Sequence, residues 1–151
     1  MKEQDDFCVL AVTNQDLYPD ETYNFVFGLA NPEFSCGVFS FCRYAPDWPG
    51  NELDQGNYLK RACYTMAHEI CHMFGLKHCI YYECLMNGTM SAQESARRAN
   101  NTLCIVCLKK IAKNMKLPSV KVWFENMLTI STELGFNEEA AFYQQLLHVW
   151  F

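Results

Sequence analysis

No apolar run in these 151 residues is long enough to cross a bilayer. The opening Met1-Lys2-Glu3-Gln4-Asp5-Asp6 is charged and has no apolar core, so it does not read as a signal peptide. Basic charge is in deficit: 12 Lys and Arg stand against 17 Asp and Glu, a net charge of −5, which supplies no field for nucleic acid. Neither an internal repeat nor a low-complexity tract is visible. These absences predict an intracellular, cytoplasmic (or nuclear) protein that engages neither membrane nor nucleic acid. What is present in quantity is apolar side chain: half the residues are hydrophobic and 15% aromatic, ample for one packed domain over 1–151.

Histidine is scarce, and three of the four fall in one stretch, His68-Glu69-Ile70-Cys71-His72-Met73-Phe74-Gly75-Leu76-Lys77-His78. On a helix, His68 and His72 project from one face, where two neutral imidazoles can grip zinc. Glu69 stands beside them, placed in this pattern to act as general base on water. Gly75 has no Cβ and can take a left-handed conformation that ends the helix. The chain can then return His78 as a third ligand, and three protein ligands leave one zinc position open, as catalysis requires. A chance match on a surface helix is the bland explanation of H-E-x-x-H alone. Gly75 and His78 extend it to the long form H-E-x-x-H-x-x-G-x-x-H. Met66, Ile70 and Met73 predict the apolar stripe of this helix.

Nine cysteines could mean a disulfide-rich secreted domain, but the number is odd and no signal is seen. Cys79, Cys84, Cys104 and Cys107 follow C-x4-C-x19-C-x2-C, a spacing that suits a closed tetrahedral zinc site. Two disulfides, metal-free buried thiols, or a redox pair at Cys104 and Cys107 are the alternatives. Cys8, Cys36, Cys42, Cys63 and Cys71 sit among apolar residues and read as small buried hydrophobes.

In chain order, Phe7–Thr13 reads as a buried strand, Tyr23–Ala30 as a second and Gly37–Tyr44 as a third. Asn57–Phe74 is the zinc helix. Ser91-Ala92-Gln93-Glu94 has the form of a capping box and predicts a short helix. Another helix is expected from Cys104 to about Met115. Residues 119–151 read as a helical hairpin, with Ser119 as cap, Gly135 past the first helix and Asn137-Glu138-Glu139 opening the second. Its expected apolar faces are Val120, Trp123, Met127, Ile130 and Leu134, then Ala140, Tyr143, Leu147 and Trp150. Residues 1–75 thus form a sheet and active-site helix, 76–118 a cysteine-bearing segment and 119–151 the hairpin.

Taken together, His68, Glu69, His72, Gly75, His78, Cys79, Cys84, Met86, Cys104 and Cys107 closely resemble the fingerprint of the archaemetzincins, a branch of the metzincin metalloproteases. The likeness covers about residues 7–110 and includes Asp16-Leu17-Tyr18, Asn24-Phe25-Val26-Phe27-Gly28 and Val38-Phe39-Ser40. It implies an α+β fold: a small mixed twisted sheet on the active-site helix, with a mainly helical, zinc-stapled C-terminal part. His68, His72 and His78 would bind a catalytic zinc. Cys79, Cys84, Cys104 and Cys107 would bind a structural one, giving two ions per chain. Met86 would be the Met-turn residue beneath the site. The strand bearing Val38, Phe39, Ser40 and Phe41 would be the rim edge that pairs with an extended peptide.

The implied activity is zinc-dependent peptide hydrolysis, leaning toward aminopeptidase-like cleavage of short peptides, by a monomer acting on peptide or protein. The alternative is a catalytically silent, zinc-stabilised peptide-binding module. Two features depart from the family pattern. Cys71 stands where glycine is usual, a larger side chain that could crowd the helix. The strand and backing helix that ordinarily precede Phe7 are expected to be missing from this chain, leaving a strand edge uncovered.

Overall fold

The structure, a computed structural model, describes residues 7–45, 47–49, 58–88 and 102–151. The chain divides into two compact units, Met1–Ile111 and Ala112–Phe151. The first unit contains strands β1 (Val9–Thr13), β2 (Gly28–Asn31) and β3 (Cys36–Ser40), a 3-10 turn at Cys42–Tyr44 and helix α1 (Tyr58–Met73). Helix α2 (Ile105–Asn114) runs across the boundary, and α3 (Val120–Glu133) and α4 (Asn137–Trp150) make up the second unit. None of the helices is long and apolar enough to cross a membrane among the described residues. The fold is mixed α+β, as expected. The capping box at Ser91 lies outside the described residues, as does Asn57.

The three strands are shorter than their apolar runs. Their order is β1-β3-β2, with β1 parallel to β3 (Val9↔Cys36 to Thr13↔Ser40) and β2 antiparallel to it (Gly28↔Phe39 to Asn31↔Cys36). Residues 23–27 alternate like a strand but lie outside the named strands, with an isolated bridge from Leu17 to Val26. The Phe25 ring there is taken up by Arg43, whose guanidinium carbon sits 3.6 Å from its centroid. β3 stops at Ser40 because its side chain turns the chain. Ser40 Oγ donates to Gln15 O (2.6 Å) and accepts from Cys42 N–H (3.1 Å), offering the backbone an alternative to the ladder. β1, expected to be buried, is an edge strand, and Val12 is 53% exposed.

This order corrects the rim assignment. Val38, Phe39 and Ser40 belong to the central strand, paired on both sides, and Phe41 follows the strand end. Phe39 and Ser40 are buried. A strand with both ladders occupied has no backbone groups to offer a peptide. The edges are β1 and β2.

Phe39, Tyr44 and Ala62 form the core, with Leu10, Phe27, Phe41 and Met66 against it. Tyr44 is fully enclosed, yet its hydroxyl donates to Thr65 Oγ1 at 2.7 Å, so that hydroxyl is not left unmet. The stripe of α1 that meets the sheet includes Ala62, Met66, Glu69 and Met73. The sheet admits the helix closely because Gly28 and Gly37 lack side chains. A β-carbon at Gly37 would stand 3.0 Å from Met73 Sδ.

In the second unit α3 and α4 pack as the expected hairpin. Ser119 Oγ accepts from Val122 N–H at 3.4 Å, and Gly135 ends α3 at φ +71°. The buried faces match those expected at Tyr143 and depart from them at other positions. Phe124 and Ser131 are buried on α3 and Glu139 and Tyr143 on α4, whereas Ile130, Leu134 and Trp150 are exposed.

Candidate metal centres and active site

The end of α1 is built by Gly75. Its φ of +82° lets its N–H reach His72 O (2.9 Å) while Leu76 N–H reaches Cys71 O (3.1 Å), the paired bonds of a Schellman motif. The reversal brings His78 back to the helix. The rings of His68, His72 and His78 stand with centroids 4.6, 5.3 and 5.0 Å apart. One nitrogen of each lies within 4.8 Å of the others, an arrangement that could hold a metal ion.

The hydrogen bonds of two of these rings test that fit. His68 Nδ1 lies 2.8 Å from Leu85 O and His72 Nδ1 lies 2.6 Å from Leu76 O. A backbone carbonyl only accepts, so each Nδ1 must carry the hydrogen and each Nε2 presents a lone pair. The two Nε2 atoms face each other at 3.0 Å. Lone pairs so placed repel unless a cation sits between them. Tetrahedral zinc with bonds of about 2.0–2.1 Å sets its nitrogens about 3.3 Å apart, close to what is seen. The donor set therefore suits zinc.

Residues 85–88 support His68 and His78. Leu85 supplies the carbonyl for His68, and the Met86 carbonyl accepts from Cys79 N–H (2.7 Å), next to His78. Gly88 backs the His78 ring: a β-carbon there would lie 3.0 Å from Nδ1. Met86 itself is completely buried. Glu69 projects toward the sheet, and burial pushes its carboxyl up to about 7.

Cys79, Cys84, Cys104 and Cys107 converge in the same way, their sulfurs all within 4.8 Å of one another. All nine cysteines are free thiols, and Cys79 Sγ is 3.8 Å from Cys104 Sγ, far beyond a disulfide bond. Backbone N–H groups of Met86 and Cys104 point at Cys84 Sγ (3.4 and 3.2 Å), and that of Cys107 at Cys104 Sγ (3.5 Å). Burial works against ionising Cys79, but N–H donors from Tyr81 and Tyr82, then the Cys104 and Cys107 thiols, bring it down to about 7. Burial pushes Cys84 and Cys107 up. Such a nest of sulfur acceptors fits zinc.

Asn87 was not singled out by its sequence context, yet it ties this loop together. Its Nδ2 donates to Cys79 O (2.7 Å) and Tyr82 O (2.9 Å), and its Oδ1 accepts from Cys84 N–H (2.8 Å). Gly28, Gly88 and the carbonyls of Leu76 and Leu85 were missed as well. Only Gly28 carried a signal, as part of the Asn24–Gly28 resemblance. Cys71 is buried within an unbroken α1, and burial, with Cys84 nearby, raises its thiol to about 12, so it stays protonated. Of the other cysteines expected to be buried, Cys8, Cys36, Cys42 and Cys63 are only half-buried. Tyr44 is a packing residue, whereas Tyr81 and Tyr82 are exposed.

Comparison with known proteins places this arrangement. The family model for peptidase family M54 matches residues 3–113. Archaemetzincin-2 from Macaca fascicularis is 38% identical, the match covering 73% of this chain and 37% of that protein. Archaemetzincin-1 from Homo sapiens is 34% identical over 73% of this chain and 27% of its own length. The crystal structure of archaemetzincin from Archaeoglobus fulgidus superposes with a TM-score of 0.57 at 33% identity, covering 68% of this chain and 60% of that one. A zinc-dependent peptidase from Methanocorpusculum labreanum gives 0.60 at 33% identity, over 69% and 53%. The chain thus spans well under half the length of these curated relatives. With the model matching most of its length and both ligand clusters gathered in space, the chain belongs to peptidase family M54, the archaemetzincins.

Proposed function

We propose that this chain is a zinc metallopeptidase carrying two ions, one held by His68, His72 and His78 and one by the four cysteines. The observation that carries the reading is the pair of Nε2 lone pairs facing each other at 3.0 Å. Zinc at the histidines supplies Lewis acidity, making water acidic near neutral pH and polarising a peptide carbonyl. Glu69 takes the proton of the attacking water and delivers it to the leaving amine. Partial burial raises this carboxyl to about 7, so it changes protonation state at little cost near neutral pH. His68 and His72 are held in one tautomer by Leu85 and Leu76.

The peptide is held by the outer edge of β2, Gly28–Asn31, through backbone hydrogen bonds. This replaces the central strand as the substrate edge. Short peptides cleaved in aminopeptidase fashion are the finer reading, which rests on the resemblance drawn from the sequence.

The test is zinc content by native mass spectrometry together with a peptide-library assay of wild type and Glu69→Gln. Two zinc ions in both proteins, with hydrolysis only in the wild type, is the expected result. Equal rates would remove Glu69 from the mechanism. Zinc-loaded wild type that binds peptides without cleaving them would establish the silent module instead.

A further inference from the structure

We infer that Gly28 is a positioning residue for Glu69: its bare backbone forms the floor along which the carboxylate's stem lies. The inference rests on the proposed role of Glu69 as the base. Gly28 opens β2 and pairs with Phe39. A β-carbon added there would lie 2.7 Å from Glu69 Cγ, 3.2 Å from Glu69 Cδ and 3.0 Å from Val38 O. Carbon atoms in favourable contact keep about 3.5–4.0 Å, so the first of these cannot be tolerated. Something must give. Val38 belongs to the ladder that joins β2 to β3, and the backbone of α1 is fixed by its own hydrogen bonds. The Glu69 side chain alone has free torsions. A methyl group at position 28 therefore displaces the carboxylate and leaves His68 and His72, one helical face away, where they are.

Gly37 provides an internal control. It sits on the neighbouring strand of the same sheet face, and a β-carbon there presses on Met73 Sδ at 3.0 Å rather than on the base. A role confined to helix–sheet packing predicts the same behaviour at both glycines.

The experiment compares Gly28→Ala, Gly37→Ala, Glu69→Ala and the double variant Gly28→Ala/Glu69→Ala. Zinc content, kcat and KM are measured on the zinc-loaded proteins, and Tm on both zinc-loaded and chelated protein. Gly28→Ala should keep its zinc and hold KM within about twofold while kcat falls roughly ten- to a hundredfold, the scale of a 1 Å misplacement. Gly37→Ala should lower Tm with kcat within about twofold. The Tm loss caused by Gly28→Ala should vanish when Glu69 is already Ala, because Cγ is gone. A kcat for Gly28→Ala equal to wild type, or a Tm loss that persists in the Glu69→Ala background, overturns the inference. If Gly28→Ala does not fold but the double variant does, the contact is confirmed; if neither folds, the Val38 carbonyl dominates and the inference falls. A wild type without turnover sinks the proposed function, while the Tm coupling in chelated protein still decides this one.

Discussion

Arg43 grips Asp16 with two parallel hydrogen bonds, Nε to Oδ1 at 2.8 Å and Nη2 to Oδ2 at 2.6 Å. Tyr18 donates to the same carboxylate at 2.7 Å, and the guanidinium lies against Phe25 and Trp48. The clamp anchors the loop that leads into β2, so it bears on where the substrate edge stands.

Asp16→Asn should cost about 1 kcal/mol, the scale of a bidentate pair partly reached by solvent. The Arg43 guanidinium holds the Asp16 carboxyl below the usual carboxylate range, against the opposing effect of burial. A depressed folded value means the contribution is complete above the unfolded value of about 3.9 and is lost as pH falls through the folded one. Urea unfolding of both proteins from pH 7 downward should show the gap closing only at the acid end. A gap that is constant with pH would mean that charge plays no part.

Asn87→Ala removes three hydrogen bonds that join Cys79, Tyr82 and Cys84. At about 0.5–1.5 kcal/mol each, with part of the site open to solvent, the expected loss is ~2 kcal/mol. Asn87→Asp keeps the acceptor for Cys84 N–H but turns a carboxylate on two carbonyls, so it should be at least as damaging. Thermal unfolding of the zinc-loaded variants reads both. An Asp variant as stable as wild type would show that the loop is held by its metal alone.

The helix ends and the ligand clusters were legible because a few residues force them. Gly75 and Gly135 both adopt positive φ where helices must stop. His68 and His72 share a face by spacing alone. The strands were less legible, since aromatic alternation over 23–27 is spent on ring contacts with Arg43 and Tyr44 rather than on a ladder. Strand order is not a local property, so a central β3 passed for an edge. The sequence placed Met66 and Met73 on the sheet-facing stripe of α1 but gave no sign that Glu69 also lies toward the sheet. A β-carbon at Gly28 would stand 2.7 Å from Glu69 Cγ, a closeness that depends on the fold and not on local sequence. On the hairpin Tyr143 is buried as expected, whereas Phe124, left out of the stripe, is buried and Ile130 is exposed.

Metal removal should proceed in two stages. Cys79, Cys84 and Cys107 are 6%, 1% and 3% exposed, whereas His78 is exposed. A mild chelator should therefore empty the histidine site first, abolishing hydrolysis with little change in Tm. Stripping the cysteine site should cost about 3 kcal/mol or more, roughly 10 °C, because 79–88 has no strand or helix of its own. His72→Ala should reproduce the first stage and Cys107→Ser the second. Loss of the thiolate-bound ion first, followed by colorimetric zinc release, would reverse the assigned roles.

The β2 edge gives the sharpest test of substrate binding. Ser40 N–H donates to Phe27 O at 2.8 Å, which makes 27 and 40 a hydrogen-bonded pair in the register Gly28↔Phe39. Bonding alternates along an antiparallel ladder, so Leu29 and Asn31 bond inward and the N–H groups of Gly28 and Ala30 point outward. Ala30→Pro removes one outward donor and no ladder bond. If a peptide backbone docks here, KM should rise about tenfold, the equivalent of ~1.4 kcal/mol, with kcat and zinc content unchanged. Leu29→Pro breaks the ladder to Val38 and should instead destabilise the fold by about 3 kcal/mol. An unchanged KM in Ala30→Pro would place the peptide somewhere other than this edge.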